Sequence, residues 1–273
     1  MRTMSATDRS LPRQGDRVGD GLLPERFRVR QRLGRGAQGE VLLAWDTLHE
    51  REVALKFLRV DGPSAGEGAS LHEARALARV RHPNVVTVFE LVHQHSPPFL
   101  VMEYAEGEEL EQLLRQRDGP LDPGRALQII RPVVSALVAA HQAGVLHRDV
   151  KPGNVLVGED GAVTLIDFGV ALRGDRCDDD GGGLVGTPHY VAPEVLAGGE
   201  ADPGADLYAV GATLFRMLTL QHPHEQARSL LELHRLQQEH GAPPVRQLRP
   251  DLPAPLAEVV DRCLSEHAAR HAS

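Results

Sequence analysis

The sequence predicts an α+β fold in two parts, a small antiparallel β lobe with one main helix and a larger, mainly helical lobe. Changes of hydrophobic period support this prediction. Three short apolar or alternating runs at residues 27–33, 41–45 and 52–58 are separated by turn residues, as in an antiparallel β-meander, and two more apolar runs at 85–91 and 99–102 are typical of strands. Between the third and fourth runs, residues 71–80 carry apolar side chains at helical spacing, and after residue 107 the pattern becomes helical.

The longest helix of the larger lobe has clear boundary signals. Asp122 suits the N-cap, Pro123 suits the first turn, and Gly144 suits the helix end. Further helices are predicted at residues 110–116, 203–219, 225–239 and 255–265, and two short strands at 155–157 and 163–166.

The domain boundaries follow from composition. Residues 1–24 mix Arg, Asp, Ser, Gly and Pro with little periodicity, which predicts a flexible N-terminal leader. The domain itself is expected to span residues 25–273, with the first lobe at 25–102, a hinge at 103–107 and the second lobe at 108–273.

Charge and cysteine usage exclude several classes of protein. A net charge of −8 disfavours nucleic acid and anionic membrane surfaces as partners. Cys177 and Cys263 lie far apart and form no CxxC pair, so neither a disulfide framework nor a zinc site is expected. No signal-type segment and no apolar run near the roughly 18 residues of a membrane span is present, so we expect a cytoplasmic chain without membrane contact in these residues.

Lysine is almost absent from the chain. Of the 30 basic residues, only Lys56 and Lys151 are lysines. An ammonium is a compact point charge that fits between phosphate oxygens, whereas the guanidinium of arginine is wide and forked. Both lysines therefore become candidates for phosphate chemistry.

A glycine-rich segment precedes the first lysine. Residues 34–41 read GRGAQGEV with strand-like sequence on both sides, which excludes a dinucleotide fingerprint because that motif needs a helix after its last glycine. Glycines in a β-hairpin turn let the backbone approach phosphate oxygens closely. Lys56 is predicted on the third strand and Glu73 on the following helix, where the carboxylate can orient the ammonium toward the phosphates.

The second lysine lies in HRDVKPGN, residues 147–154. Asp149 is placed to orient the hydroxyl of a nucleophile, Lys151 to neutralise a transferred phosphoryl group, and Asn154 to offer its amide oxygen to a metal ion. Asp167 follows a short strand and can bind Mg²⁺ through its carboxylate. The plainer alternative is a pair of turn-forming aspartates.

These motifs, in this order, resemble the protein kinase superfamily, specifically the Ser/Thr kinases of the type found in bacteria. Besides the glycine-rich loop, Glu73 and HRDVKPGN, the resemblance includes VALK at 53–56, DFG at 167–169, GTPHYVAPE at 186–194 and ADLYAVG at 205–211. It implies the bilobal protein-kinase fold and transfer of the γ-phosphoryl group of ATP to Ser/Thr hydroxyls of protein substrates, the chain itself among them. The implied cofactors are ATP and Mg²⁺, with Mn²⁺ as an alternative metal.

The resemblance also implies roles for individual residues. The nucleotide-binding residues would be Leu33, Gly34, Gly36, Gly39, Val41, Ala54, Lys56, Met102, Glu103, Ala105 and Glu109. The catalytic residues would be Asp149, Lys151, Lys56, Glu73 and Thr187, and the metal ligands Asn154 and Asp167. Met102 would be the gatekeeper, Glu103 to Ala105 would read the purine edge, and Glu109 would contact the ribose.

Several further positions have packing roles in relatives. Leu77, Val88, His147 and Phe168 match a stacked apolar spine, Glu194 and Arg270 match a buried ion pair, and Asp206 matches an aspartate that holds the catalytic-loop backbone. The chain ends soon after Arg270, where relatives continue into another helix, so a domain truncated at its C-terminal end is expected.

The pattern also departs from the family in one segment. Between Gly169 and Gly186 there is no Ser, Thr or Tyr, which argues against switching by phosphorylation of that stretch. Asp178 to Asp180 could supply standing negative charge to Arg148, although a solvated acidic loop is the simpler interpretation.

Three functions remain distinct at this point. Lys151 and Thr187 match the Ser/Thr-specific pattern, which favours an active protein kinase. A catalytically weak kinase-fold scaffold or nucleotide-binding module is the first alternative, and a kinase of small molecules such as aminoglycosides or choline is the second.

The spaced histidines at 93/95 and at 222/224 are too few for a metal site and are expected to be solvated loop residues. Neither the cognate substrate nor the oligomeric state is encoded in these motifs.

Overall fold

The computed structural model describes residues 17–18, 21–36, 39–58, 74–168 and 188–265. These residues form two compact units. The first unit contains the described residues up to 79 together with 87–104, and the second contains 80–86, 105–168 and 188–265.

The first unit is built on a five-stranded antiparallel sheet, which the short strand pair β1 Arg17–Val18 and β2 Gly21–Leu22 precedes. The five strands are β3 Phe27–Gly36, β4 Gly39–Asp46, β5 Arg51–Phe57, β6 Val88–Val92 and β7 Phe99–Glu103. Their order in the sheet is β3-β4-β5-β7-β6. Helix α1 covers residues 74–77 of the described chain. The three predicted strands of the meander are therefore confirmed, with ends shifted by a few residues.

The two faces of this sheet have different contents, because successive side chains of a strand point to opposite faces. One face carries the core cluster of the unit, whose members are Leu23, Phe27, Leu42, Ala44, Val53, Leu55, Phe57, Phe99 and Val101. Removing a large aliphatic or aromatic side chain of this kind from water contributes about 1.5–3 kcal/mol. The side chains that alternate with these along the central strands point to the opposite face of the sheet and do not belong to the core cluster.

The predicted leader is shorter than expected at its C-terminal end. Strands β1 and β2 pair as an antiparallel hairpin, with Val18 opposite Gly21. Leu23 is 9% exposed and belongs to the core cluster of the first unit. One leucine near the end of this polar segment thus joins the core, which composition averaged over 24 positions does not reveal. The remainder of the predicted leader lies outside the described residues.

A buried carboxylate fastens the start of β3 to the end of β4. Asp46 accepts hydrogen bonds from Arg26 at 2.9 and 3.0 Å and from the His49 ring at 2.8 Å. Burial alone would raise the pKa of Asp46, but the bonds from Arg26, His49 and the Leu48 backbone outweigh it and hold that pKa well below its usual range. Asp46 is therefore ionised and paired at neutral pH.

The second unit is mainly helical. Its helices are α2 Leu110–Arg115, α3 Pro123–Gln142, α4 Pro193–Leu196, α5 Pro203–Thr219, α6 Leu230–His240 and α7 Ala254–Cys263. A small antiparallel sheet in the order β10-β9-β8 joins β8 Glu108–Glu109, β9 Val155–Val157 and β10 Val163–Leu165. Short 3-10 turns lie at Pro152–Asn154, Pro188–Tyr190 and Val245–Gln247.

Helix α5 lies at the centre of this unit and packs against α3 and α7. Nearly all of its side chains are buried, and Asp202 caps its N-terminus by accepting the backbone N–H groups of Gly204 and Ala205. The predicted cap of α3 is confirmed, since Asp122 accepts the N–H of Arg125 at 3.0 Å. Within the part of the chain that the structure describes, no helix combines the length and the apolar character needed to span a membrane.

The predicted strand at 85–91 is wrong at its start. Strand β6 begins at Val88, and Val85 instead forms an isolated parallel bridge with Leu165 of β10. The Asn84 carbonyl accepts the N–H of Leu165 at 2.8 Å, and its side-chain amide donates to the carbonyl of Val163 at 2.7 Å. Residues 80–86 therefore belong to the second unit, although the sequence placed them in the first lobe.

The predicted helix at 225–239 also begins later than expected. Helix α6 starts at Leu230, because Ser229 caps it by accepting the N–H of Glu232 at 3.1 Å. Glu225 lies before the helix, where its side chain accepts the backbone N–H of His222 at 2.6 Å.

Candidate functional site

The glycine-rich hairpin joins β3 to β4, with Gly36 paired to Gly39. Gly39 has a φ of 124°, and a Cβ added there would lie 2.2 Å from the carbonyl oxygen of Phe57. At Gly34, by contrast, an added Cβ would meet no atom of the described residues within 4 Å. Gly39 is thus required by the hairpin itself, whereas Gly34 borders open space. Residues 37–38 at the tip lie outside the described chain.

Four of the predicted nucleotide-binding residues share the sheet face opposite the core cluster. Val41 pairs with Lys56 across β4 and β5, and Ala54 pairs with Met102 across β5 and β7. Since the register alternates, all four side chains lie on the same face. Lys56 is only 4% exposed, so its ammonium is placed among buried side chains rather than in bulk solvent. This is the arrangement expected of a lysine with a fixed task.

The remaining nucleotide-binding candidates are spread over both units. Leu33 is half exposed on β3. Glu103 ends β7, where its backbone N–H donates to the Thr87 carbonyl at 2.8 Å and its carboxylate accepts the Thr87 N–H at 3.3 Å. Ala105 and Glu109 belong to the second unit, and Glu109 pairs with Leu156 between β8 and β9.

The loop at 147–154 is anchored by one buried carboxylate on α5. Asp206 is 2% exposed and accepts the backbone N–H groups of His147 at 2.9 Å and Arg148 at 2.7 Å. It also bonds the His141 ring at 2.7 Å. Burial alone would raise the pKa of Asp206, but these bonds outweigh it and keep the pKa below its ordinary value. The predicted role of Asp206 agrees with this geometry.

His147 connects the same loop to the residue before Asp167. Its Nε2 donates to the Ile166 carbonyl at 2.9 Å, and its Nδ1 accepts the backbone N–H of Asp149 at 3.2 Å. Burial lowers the pKa of His147 despite the nearby Asp206 carboxylate, so the ring is neutral with its proton on Nε2. The ring also packs on Phe168, with centroids 4.5 Å apart.

The Asp149 carboxylate is held from two directions. Lys151 Nζ donates to both carboxylate oxygens, at 2.9 and 2.7 Å. Asn154 Nδ2 donates to the Asp149 carbonyl at 2.7 Å and to its carboxylate at 2.9 Å. Because the amide nitrogen of Asn154 is used in this way, its Oδ1 is left as the acceptor end of a side chain that is 5% exposed. The structure therefore brings the three predicted residues of this loop together.

Asp167 follows β10 with a strained backbone. Its φ is 58°, and that of Arg148 is 62°, in the left-handed region that costs a residue other than glycine about 1–3 kcal/mol. The residue before it is fixed twice, since Ile166 accepts from His147 and donates its N–H to the Asn154 carbonyl at 2.9 Å. Asp167 is consequently held next to the loop at 147–154 in a conformation that the surrounding bonds impose.

Several predicted residues lie outside the described chain. They are Glu73, Gly169, Cys177, Asp178, Asp179, Asp180, Thr187 and Arg270. The ion pairs proposed for Lys56 with Glu73 and for Glu194 with Arg270, and the interpretation of the acidic segment, therefore stay predictions.

Sequence reasoning missed His141 and Gln237, and it misjudged the histidines that follow α5. His141 is the third partner of Asp206, across 65 positions of sequence. The expectation of solvated histidines is wrong for His224, which is 3% exposed, and for His222, whose ring stacks on that of His189. None of these contacts has a local signal, because each depends on which distant element packs against the side chain.

The two units define a protein of the kinase class, with a buried lysine on an antiparallel sheet and a carboxylate held in a loop of a helical unit. A family model described as protein kinase domain matches residues 27–271. The chain belongs to this family, and the predicted family and fold class are confirmed.

Three bacterial relatives support the Ser/Thr type. The chain is 37% identical to the serine/threonine-protein kinase PknK of Mycobacterium bovis over 254 residues, and these residues are 91% of this chain. It is 33% identical over 239 residues, 86% of the chain, to PrkC of Bacillus subtilis, and 38% identical over 213 residues, 76% of the chain, to PknL of Mycobacterium tuberculosis. The matched segments are 22%, 36% and 53% of the lengths of these relatives, so the chain spans only part of each.

Proposed function

We propose that this domain transfers the γ-phosphoryl group of Mg-ATP to Ser/Thr hydroxyls of protein substrates, and that its own chain can be one of them. The observation that carries the proposal is the Asp149 carboxylate, which Lys151 and Asn154 hold inside a loop anchored on Asp206. A fixed carboxylate beside a fixed ammonium is what orientation of a hydroxyl and stabilisation of developing phosphoryl charge require.

The chain's own residues would divide this work. Asp149 would accept the hydrogen bond of the substrate hydroxyl and orient its oxygen for in-line attack. Lys151 contacts both oxygens of Asp149, and this contact supports a role in which its charge would stabilise the phosphoryl group during transfer. Lys56, buried on its sheet face, would neutralise nonbridging phosphate oxygens.

The residues present fit a divalent cation bound together with phosphates. Asn154 Oδ1 and the Asp167 carboxylate are oxygen ligands of the kind that Mg²⁺ prefers, with Mn²⁺ as an alternative. Among the described residues, no group of three or more His, Cys, Asp or Glu side chains could hold a metal ion by itself. The proposed ion would therefore take part of its coordination from the nucleotide, and when bound it would neutralise charge on the phosphates.

The glycine hairpin and the sheet face fit the nucleotide. Open space at Gly34 would admit phosphate oxygens, and the face formed by Val41, Ala54 and Met102 offers apolar contact for a purine. Leu33, Gly36, Gly39, Glu103, Ala105 and Glu109 would complete the nucleotide contacts, and Glu73 and Thr187 the catalytic set.

Protein is the substrate class that the relatives favour, because each of them is named a serine/threonine-protein kinase. A net charge of −8 disfavours nucleic acid as a partner. The proposal takes the cytoplasm, where ATP is abundant, as the compartment of the domain.

The test is phosphoryl transfer by the wild type and by Asp149→Asn. With radiolabelled ATP and Mg²⁺ or Mn²⁺, we expect label on the chain itself or on a generic protein substrate, and a loss of about 10²–10⁴-fold in Asp149→Asn. Asp118→Asn, at an exposed loop position, is the matched control and should keep wild-type activity.

Two outcomes would contradict the proposal. Nucleotide binding without transfer to any acceptor would favour the scaffold or nucleotide-binding module. Label entering an aminoglycoside or choline, and not protein, would favour the small-molecule kinase.

A further inference from the structure

The 3-10 turn Pro188–Tyr190 directly follows Thr187, which the proposed function assigns to the catalytic set, so under that proposal the turn would lie beside the protein substrate. We propose that His222, in the loop after α5, is a positioning residue for this turn. His222 would thereby control affinity for the protein substrate without acting on ATP. This inference rests on the proposed kinase function.

Two aromatic contacts join His222 to the turn. The rings of His189 and His222 stack, with centroids 4.8 Å apart and planes 15° apart. The ring of Tyr190 meets His222 edge-on, with centroids 5.4 Å apart and planes 87° apart. One imidazole therefore contacts two consecutive side chains of the turn, and the carbonyl of the neighbouring Pro223 hydrogen-bonds the His189 ring.

The loop that carries His222 is itself held in a defined shape. The backbone N–H of His222 donates to Glu225 at 2.6 Å. Leu220 and His224 both have a φ of 58°, and the carbonyl of Leu220 accepts a hydrogen bond from Arg216. A fixed loop can transmit its position to the turn, whereas a mobile one could not.

The contact of His222 with the turn is made through its aromatic ring. Its Nδ1 is buried and has no hydrogen-bond partner among the described residues, and the same is true of Nδ1 of His189. Burial, followed by the charge of Arg216, lowers the pKa of His222 to about 4, although Glu225 and Glu111 favour its protonated form. Burial likewise lowers the pKa of His189, so two neutral rings stack near pH 7.

A second contact holds the other end of the turn. Gln237 of α6 is buried and donates from its side-chain amide to the Val191 carbonyl at 3.2 Å and to the Tyr208 hydroxyl at 2.9 Å. Loss of the His222 ring would therefore free the Pro188–Tyr190 end while Gln237 still holds Val191. We expect a turn that is less ordered in a domain that remains folded.

The experiment compares His222→Ala with His222→Phe, which keeps an aromatic ring but has no nitrogen. His240→Ala, at the exposed C-terminal end of α6, is the control. KM for ATP, KM for a protein substrate and kcat are measured for each, together with hydrogen exchange of the backbone N–H of Val191, which donates to the Pro188 carbonyl at 2.9 Å.

We expect His222→Ala to raise KM for the protein substrate about threefold to tenfold, as for the loss of one aromatic pair, with KM for ATP unchanged. Exchange at Val191 should accelerate in His222→Ala and return to the wild-type rate in His222→Phe. His240→Ala should behave as the wild type in every measurement.

The inference is overturned if His222→Ala leaves both the substrate KM and the exchange at Val191 unchanged. It is also overturned if His222→Phe fails as badly as His222→Ala, since the nitrogens rather than the ring would then matter. A wild type that transfers no phosphate would remove the proposed function instead, and the exchange measurement would still show whether His222 orders the turn.

Discussion

At the scale of single residues, Asp206 is the side chain on which the candidate site depends most. It accepts two backbone N–H groups of the loop at 147–154 and a hydrogen bond from the His141 ring, and all of these bonds lie inside the second unit. The backbone of Arg148 is in the strained left-handed region, and these bonds stabilise that conformation. The order of the loop is therefore linked to one ionised carboxylate.

Asp206→Asn should destabilise the folded chain by about 3 kcal/mol at pH 7. The neutral amide removes the buried charge, and its NH2 group places a donor where a carboxylate oxygen now accepts hydrogen bonds. The pKa of Asp206 is below its ordinary 3.8 in the folded state, so its stabilising charge is fully present above that pH. That contribution is lost as the pH falls through the lower, folded-state value.

The difference in unfolding free energy between the wild type and Asp206→Asn should therefore narrow below about pH 4. Denaturant titrations at several pH values measure it, with Asp118→Asn as the control at an exposed position. A difference that stays constant through the acid range would show that the charge of Asp206 is not what anchors the loop.

The sequence predicts Asp206 and its bonds to the loop backbone, but not its third partner, His141. Asp206 was identified through the motif ADLYAVG, and Asp149, Lys151 and Asn154 through HRDVKPGN, because these residues are defined by short spacings. His141, Gln237 and His222 act through contacts between distant segments, and no motif spacing predicts those contacts. Their burial is set by tertiary packing, which a residue pattern in one segment does not contain.

At the scale of elements, the β3–β4 hairpin shows that glycines of one motif have different tasks. Gly39 combines a positive φ with a carbonyl oxygen in the place of a Cβ, whereas Gly34 has neither constraint. The motif GRGAQGEV treats them alike.

Gly39→Ala should destabilise the first unit by about 2–6 kcal/mol, as the sum of backbone strain and overpacking. Gly34→Ala should change stability by about 0.5 kcal/mol or less, but should raise KM for ATP, because the methyl group enters space that the proposal gives to phosphate. Thermal unfolding and ATP kinetics separate the two effects. Equal stability losses in the two variants would contradict the distinction, and an unchanged KM for ATP in Gly34→Ala would argue against phosphate at this position.

Element boundaries were the weaker part of the sequence prediction. Strands β3, β4, β5 and β7 and helices α3 and α5 were placed well, because each has a clear period and turn or cap residues at its ends. Residues 80–86 were assigned to the wrong unit, since their apolar side chains fit a strand while Asn84 ties them to β10. The predicted start of α6 at residue 225 is too early, because Ser229 is the N-cap of the helix. Glu225 instead accepts the backbone N–H of His222 in the preceding loop.

At the scale of the whole molecule, the chain has only two lysines, and each lies at a candidate phosphate-binding position. One is buried on the sheet face opposite the core of the first unit, and the other contacts both carboxylate oxygens of Asp149 in the second unit. Generic surface cations are arginines throughout the chain. The proposal accordingly gives each unit one ammonium that is reserved for phosphate.

This distribution makes lysine chemistry a test of the proposed nucleotide site. An acyl phosphate of ATP delivers its acyl group to a lysine amine, which attacks the acyl carbonyl while the bond to the phosphate oxygen breaks and ATP leaves. With only Lys56 and Lys151 available in the sequence, mass spectrometry assigns the label without ambiguity. We expect label on one or both lysines, none at arginine, and suppression by excess Mg-ATP.

Lys56→Arg and Lys151→Arg serve as matched variants, because each keeps the positive charge and removes one reactive amine. Each should lose the label at its own position only and should also lose phosphoryl transfer, since a planar guanidinium does not reproduce the compact ammonium. Labelling that excess Mg-ATP does not suppress would place both amines away from the nucleotide phosphates. Full transfer activity in both arginine variants would show that the retention of lysine at these two positions has another cause.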